Sequence, residues 1–380
     1  MKKNVDNNNQ IRVAQIMGKL WAGGVEAVVF NYYREIDKTK VQFDFFYDAD
    51  STVDPPKELI DMGARFYKIP PYQKLPVYLT TLRGFFRENN YKIVHSHINT
   101  LSVFPLFAAW QEQVPVRIAH NHSVPGGNEF SRNTLKKILR MFAKLFPTDY
   151  FACSEKAGRW MFGDKEFDKG NVLVVKNAID FEKFRPSNEE VKLNKKRLGL
   201  TGKFVVCHVG RFTHAKNHDF LIKVFSEICK LNDNAKLLLV GDGELHCKIT
   251  SIIKDYNIED KVVMIGQVSN PEKYYRIADV IILPSLFEGL SLTTIESQIA
   301  GVPIVISESI PEEAIISNGC TYLSLNESAM TWAKTAIEAS KIKVVLNAKA
   351  QEYDIKERAK LLTNWYIQHS ERMKREKSNA

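Results

Sequence analysis

The chain is predicted to be an α/β protein of two doubly wound domains, each a parallel sheet with helices on both faces. Three observations predict it. Short apolar runs of the kind found in buried parallel strands alternate with helical segments along most of the chain. The alternation breaks between Phe184 and Lys203 and then restarts. The length, 380 residues, exceeds what one hydrophobic core usually serves and suits two domains of roughly 180 residues each.

Taken in order, the first strand is Ile11 to Met17, followed by a glycine-bearing loop from Gly18 to Gly24 and a helix from about Val25. Strands recur at Phe43–Tyr47, Ala64–Ile69, Ile93–His97, Val116–His120, Tyr150–Cys153 and Val172–Val175. The segment Phe184–Lys203 carries Arg185-Pro186-Ser187-Asn188 and a charged helix, Glu189 to Leu198, and reads as the connection between domains. A second cycle opens with Phe204–Gly210 and continues with strands at Ala235–Val240, Val262–Ile265, Val280–Leu283 and Pro303–Ile306. The stretch from about Lys349 to Glu376 is charged and helical.

Glycine loops and charged residues recur where strands end, which is where open α/β sheets bind ligands. Gly210-Arg211 follows the first strand of the second cycle, and Lys216 comes soon after. Glycine lets backbone approach a ligand, arginine offers a planar fork for phosphate oxygens, and lysine adds a point charge. Gly241-Asp242-Gly243-Glu244 is a tight turn into a helix, and Gly266 closes another strand. After Val280–Ser285 comes Phe287-Glu288-Gly289-Leu290-Ser291-Leu292-Thr293-Thr294-Ile295-Glu296, a loop that opens a helix. Its start aims backbone amides, and the positive end of the helix dipole, at any anion bound there. Carboxylates at Glu288 and Glu296 suit a hydroxyl-rich ligand, because a carboxylate accepts from paired hydroxyls.

The paired glutamates, with seven residues between them and Gly301-Val302-Pro303 beyond, resemble the signature of retaining glycosyltransferases of family 4, and the likeness extends over nearly the whole chain. The resemblance implies the GT-B fold, two Rossmann-like doubly wound parallel-sheet domains facing a cleft. Residues 1–184 would be the acceptor-binding domain and 185–347 the nucleotide-sugar domain, with 348–380 packing back on the first. It implies that Arg211 and Lys216 meet the donor diphosphate, with Gly243 and Gly266 bordering the nucleotide. Gly289, Leu290, Ser291 and Leu292 would offer amides to the diphosphate and sugar. Glu296 would accept from the ribose hydroxyls, and Glu288 would face the transferred sugar. In the first domain, Gly23-Gly24 looks like the family's N-terminal loop against the donor phosphates. A family histidine near His120 or His122 contacts the sugar or acceptor, and the sequence leaves open which of the two it is. His95 and His97 are read as packing or turn-forming. Asn177-Ala178-Ile179-Asp180 resembles a family turn that has glycine where Ala178 stands.

The function expected is transfer of a hexosyl or N-acetylhexosaminyl unit from a nucleotide sugar, most simply a UDP-sugar, to a lipid-linked glycan in cell-surface or capsular polysaccharide synthesis. No cofactor or metal is expected, since protein cations can neutralise the leaving group. Asp48-Ala49-Asp50 lies outside the donor domain and reads as a turn. Two rivals are a UDP-sugar 2-epimerase of GT-B fold and a non-catalytic glycan-binding subunit. The second should lose donor residues that are present here. A nicotinamide dehydrogenase is disfavoured by the missing Gly-x-Gly-x-x-Gly fingerprint.

The net charge is +9. Residues 1–185 hold 27 Lys and Arg against 20 Asp and Glu, so the first half suits an anionic partner. Residues 131–146 place Arg132, Lys136, Arg140 and Lys144 at helical spacing with Leu135, Ile138, Leu139, Phe142 and Leu145 on other faces. Such a basic amphipathic helix predicts contact with an anionic membrane surface. No nucleic-acid motif accompanies the charge. The polar opening residues lack the apolar core of a signal peptide, and the five cysteines show no pairing or metal spacing. A cytoplasmic protein, peripheral at the inner face of the plasma membrane, is expected.

Overall fold

The computed structural model describes residues 10–20, 24–123, 137–185, 187–268, 270–288 and 290–371. The chain divides into two compact units, Met1–Ile179 with Glu352–Ala380, and Asp180–Gln351.

Among the described residues the first unit holds seven strands: β1 (Ile11–Gly18), β2 (Val41–Asp48), β3 (Arg65–Ile69), β4 (Ile93–Ser96), β5 (Val116–Asn121), β6 (Asp149–Ala152) and β7 (Val172–Val174). They pair in the order β3-β2-β1-β4-β5-β6-β7, and all pairings are parallel. The order reverses between β1 and β4, so the loops after these two strands flank a topological switch point. β2 is buried on both faces, which explains its run of Phe43, Phe45, Phe46 and Tyr47. Phe45 stacks on Phe66 of β3 at 4.6 Å and meets Tyr33 edge-on at 5.7 Å. The helix Ile355–Ser370 belongs to this unit. Asp354 caps it by accepting from the Lys356 amide at 2.9 Å, and the Ile355 amide donates to the Ile179 carbonyl at 3.1 Å. Its buried face carries Ala359, Leu362 and Tyr366.

The second unit holds β8 (Phe204–Val209), β9 (Ala235–Val240), β10 (Val262–Gly266), β11 (Val280–Leu283), β12 (Ile304–Ser307) and β13 (Cys320–Leu323). Their order is β10-β9-β8-β11-β12-β13, again all parallel, with the switch point between β8 and β11. A core of Val206, Phe225, Leu237, Ile282, Trp332 and their neighbours fills one side of the sheet. The connecting helix, Asn188–Arg197, starts in a capping box in which Ser187 and Glu190 satisfy each other's amides. β13 was not expected from the sequence. It is a short edge strand, partly buried throughout, and lacks the apolar run that marks β8, β9 and β11.

Among the described residues no helix is long and apolar enough to cross a membrane.

Candidate active site

The switch point of the second unit gathers most of the residues expected to hold a donor. β8 ends at Val209 and the chain turns through Gly210 and Arg211. The Gly210 amide donates to the Val240 carbonyl at 2.9 Å, tying this turn to the end of β9. A side chain on Gly241 would sit 2.0 Å from the Gly210 carbonyl oxygen, and one on Gly243 would sit 2.6 Å from that of Phe212. These two glycines therefore let two loop backbones pack against each other. Gly266, with φ +81°, closes β10, and its carbonyl accepts from the Gly241 amide.

Lys216 lies at the end of a short 3₁₀ turn, followed by Asn217 in the left-handed conformation. Its ammonium meets Glu288 Oε1 at 2.5 Å, with both side chains largely buried. Ser285 donates to the same oxygen at 2.9 Å. Arg211 is mostly exposed and pairs loosely with Glu244 at 3.4 Å. Ser291 caps the helix Leu292–Ile299, its hydroxyl accepting from the Thr294 amide. Thr293 donates to the Val209 carbonyl at 3.1 Å, pinning the helix start beside β8. Leu290 and Leu292 flank that cap and are partly exposed; Gly289 lies outside the described residues. Glu296 accepts from the buried Tyr275 hydroxyl at 2.5 Å. Burial pushes its carboxyl up to about 7, against the Tyr275 bond that lowers it, with Glu272 raising it further and Lys216 opposing.

Tyr275 and Ser285 were missed by sequence reasoning. Tyr275 sits in Tyr274-Tyr275-Arg276, where nothing marks which tyrosine turns inward; the structure buries Tyr275 completely, against Phe184 at 5.5 Å.

In the first unit, His95 and His97 on and after β4, and His120 and His122 on and after β5, form one buried cluster. His95 and His97 are buried and packed, as expected, and are also hydrogen-bonded, while His120 and His122 are themselves buried, 3% and 8% exposed. Alternation places all four on one face of the sheet. His95 Nε2 meets His120 Nδ1 at 3.1 Å, and His97 Nδ1 meets His122 Nε2 at 2.9 Å. His97 Nε2 reaches Gln15 Oε1 at 2.7 Å, and His95 Nδ1 reaches the Tyr366 hydroxyl at 2.7 Å. Burial holds His95, His97 and His120 well below the usual imidazole range and His122 down to about 3, so the cluster is neutral. Nitrogens of His95, His97 and His120 lie within 4.8 Å of one another, close enough to hold a metal ion; both nitrogens of His95 and His97, and Nδ1 of His120, are engaged in hydrogen bonds.

Gly24 begins the helix Gly24–Glu35 and is exposed, while Gly23 lies outside the described residues. Ala178 is buried, and its backbone is not left-handed, so alanine is accommodated there. Asp50 pairs with Lys19 at 3.1 Å, and burial lifts the Asp48 carboxyl to about 6.

Residues 22–183 match the family described as Glycosyltransferase Family 4, and residues 190–360 match Glycosyl transferases group 1. EpsF of Bacillus subtilis (strain 168), described as a glycosyltransferase, is 32% identical over 342 residues, covering 88% of this chain and 89% of EpsF. The chain is a family 4 glycosyltransferase. A second relative of this glycosyltransferase, the UDP-Gal:alpha-D-GlcNAc-diphosphoundecaprenol alpha-1,3-galactosyltransferase of Escherichia coli, is 26% identical over 63% of the chain and 64% of that protein. In fold it matches Anabaena Alr3699/HepE, solved with UDP-glucose, with a TM-score of 0.72 at 16% identity, covering 98% of this chain and all of that one. The two parallel-sheet units of the glycosyltransferase are those of the GT-B fold.

Proposed function

We propose that this glycosyltransferase moves a hexosyl or N-acetylhexosaminyl unit from a UDP-sugar to a lipid-linked glycan in cell-surface polysaccharide synthesis, with retention at the anomeric carbon. The observation that carries the donor assignment is the cluster at the β8/β11 switch point, where Lys216 and Glu288 are paired beside a capped helix start and Glu296 stands within the same helix. Arg211 and Lys216 neutralise the leaving diphosphate, helped by the amides of Leu290, Ser291 and Leu292, so that no divalent metal is required. Glu296 accepts from the ribose hydroxyls, and Glu288 orients Lys216 and faces the sugar. Gly243 and Gly266 shape the nucleotide rim. Gly24 serves the donor phosphates, and His120 and His122 serve the transferred sugar or acceptor. With retention by front-face attack, the departing phosphate oxygen takes the acceptor proton and no protein nucleophile is needed.

The lipid-linked acceptor is favoured by the E. coli relative's name and by an exposed surface in the first unit. Residues 137–141 are helical, and Ile138, Met141, Phe142 and Leu145 are exposed there, Met141 by 80%. Lys137, Arg140 and Lys144 are interleaved with them. Apolar side chains among cations suit an anionic bilayer surface, making the enzyme peripheral. Arg132, Lys136 and Leu135 of the expected segment lie outside the described residues.

The test is nucleotide release from UDP-, GDP- and ADP-sugars in EDTA by the full chain, compared with Glu296→Ala and Arg211→Ala. Slow hydrolysis of a UDP-sugar, lost in both variants, is expected. Release that needs a divalent cation, or that survives both substitutions, would overturn the donor assignment. Conversion of UDP-N-acetylglucosamine to its 2-epimer without acceptor would replace transfer by epimerisation.

A further inference from the structure

The buried histidines of the first unit form two hydrogen-bonded branches that meet at one side chain. From Gln15, one branch runs through the Tyr366 hydroxyl (3.3 Å) to His95 Nδ1 and from His95 Nε2 to His120 Nδ1. The other runs from Gln15 to His97 Nε2 and from His97 Nδ1 to His122 Nε2. The branches end at His120 Nε2, buried and without a hydrogen-bond partner among the described residues, and at His122 Nδ1, buried beside the Asn177 side chain. The amide of Asn177 flanks His122 and can turn either its N–H or its carbonyl to it, so it does not choose the direction of the chain.

A neutral imidazole has one donor and one acceptor nitrogen. The Gln15 amide likewise has one end of each kind, and which end faces which branch fixes every proton in the network. With its NH₂ toward Tyr366, the phenol donates to His95 Nδ1, His95 Nε2–H donates to His120 Nδ1, and His120 carries its proton on Nε2. The Gln15 oxygen then accepts from His97 Nε2–H, and His97 Nδ1 accepts from His122 Nε2–H. All four rings are Nε2–H tautomers. With the amide reversed, all four become Nδ1–H tautomers. In either state the two terminal nitrogens have opposite character, one donor and one acceptor.

We propose that Gln15 and Tyr366 are positioning residues that hold His95, His97, His120 and His122 in one common tautomer, presenting His120 Nε2 and His122 Nδ1 as a matched donor–acceptor pair for sugar hydroxyls. A hydroxyl both donates and accepts, so such a pair recognises it without a charge. The assignment rests on the reading that His120 and His122 serve the sugar or acceptor. The C-terminal helix thereby acts at the end of β5 through a hydrogen-bond chain, with Tyr366 touching no ligand itself.

The test is tautomer assignment by long-range ¹H–¹⁵N NMR on the labelled full chain, with each of the four histidines assigned by single substitution. One shared tautomer is expected. Tyr366→Phe keeps the ring packed against Phe43 and removes the hydroxyl. It is expected to leave His97 and His122 unchanged, to release His95 and His120 into a tautomer mixture, and to slow sugar transfer roughly tenfold. Mixed tautomers in the unsubstituted chain would overturn the proposal, and that result does not depend on activity or on the variant folding. A shared tautomer with transfer undisturbed by Tyr366→Phe would overturn the link to the sugar, while the donor assignment stands or falls separately on nucleotide release. Stoichiometric Zn²⁺ binding that shifts all four rings would overturn it in favour of a metal site.

Discussion

Glu296 gives a prediction that can be worked through from its surroundings. Its carboxyl stands at about 7, raised chiefly by burial, with Tyr275 as a neutral donor at 2.5 Å. At pH 7 it is therefore protonated in roughly half of the molecules. If the ribose hydroxyls donate to it, they stabilise the carboxylate and lower its pKa. Full ionisation of the bound form would release ~0.5 proton at pH 7 and ~0.9 at pH 6. The sign follows: the donor selects the ionised form, so affinity is full above the free-enzyme value and declines as pH falls through it. Between pH 7 and pH 6 the ionised fraction drops from ~0.5 to ~0.09, which predicts about fivefold weaker binding. The assay is titration calorimetry with the intact UDP-sugar in buffers of different ionisation enthalpy. Glu296→Gln should bind more weakly and lose both the proton release and the pH slope. A binding enthalpy independent of buffer at pH 7, or a release that persists in Glu296→Gln, would refute the assignment of Glu296 to the ribose.

Three further outcomes follow from the same structure. Lys216→Met removes the cation held against Glu288 and should lower kcat/KM for the donor at least ~100-fold; a change under about threefold would remove Lys216 from the diphosphate role. Lys137→Ser/Arg140→Ser/Lys144→Ser should weaken sedimentation with anionic vesicles by about 3 kcal/mol at low salt, near 1 kcal/mol per cation, and unchanged sedimentation would sink the membrane contact. Trp332, fully buried and donating to the Ser324 carbonyl at 3.0 Å, should cost the second unit about 3–5 kcal/mol when changed to alanine; a denaturation midpoint shifted by less than the equivalent of ~1 kcal/mol would show that its core collapses around the gap.

Much of the fold is legible in the sequence. The strands of both sheets read as apolar runs because parallel sheets covered on both faces leave no polar alternation, and β8, β9 and β11 fall where those runs do. The edge strand β13 did not, because a partly buried edge carries Cys320, Thr321 and Tyr322 with no run to detect. Lys216, Glu288 and Glu296 were legible because loop and helix spacing fix their places at the strand ends. Tyr275 was not: its contact with Glu296 depends on which face of a four-residue helix turns inward. The histidines were legible as residues near a strand end, but not as a cluster. Gln15, His95 and His120 come from three strands, and Tyr366 from a helix 351 residues along the chain from Gln15.

The two units use one topology to opposite electrostatic ends, and burial explains the division. In the second unit the switch point holds opposite charges, Lys216 and Glu288, whose side chains keep 18% and 14% of their exposure. That residual contact with water, with a pairing at short range, keeps the cost of two charges tolerable. The first unit's switch point is closed over by Tyr366, and His95 and His120 are almost wholly excluded from solvent. A lone charge there would be costly, so the cluster offers only neutral donors and acceptors. Under the proposed function, the division matches what each half of a glycosyl transfer requires. A leaving diphosphate carries charge that must be met by cations, whereas a sugar hydroxyl carries none and is distinguished by where it donates and where it accepts. A charge introduced among the histidines and a charge removed at Lys216 should therefore fail in different steps, the first in acceptor use and the second in donor cleavage.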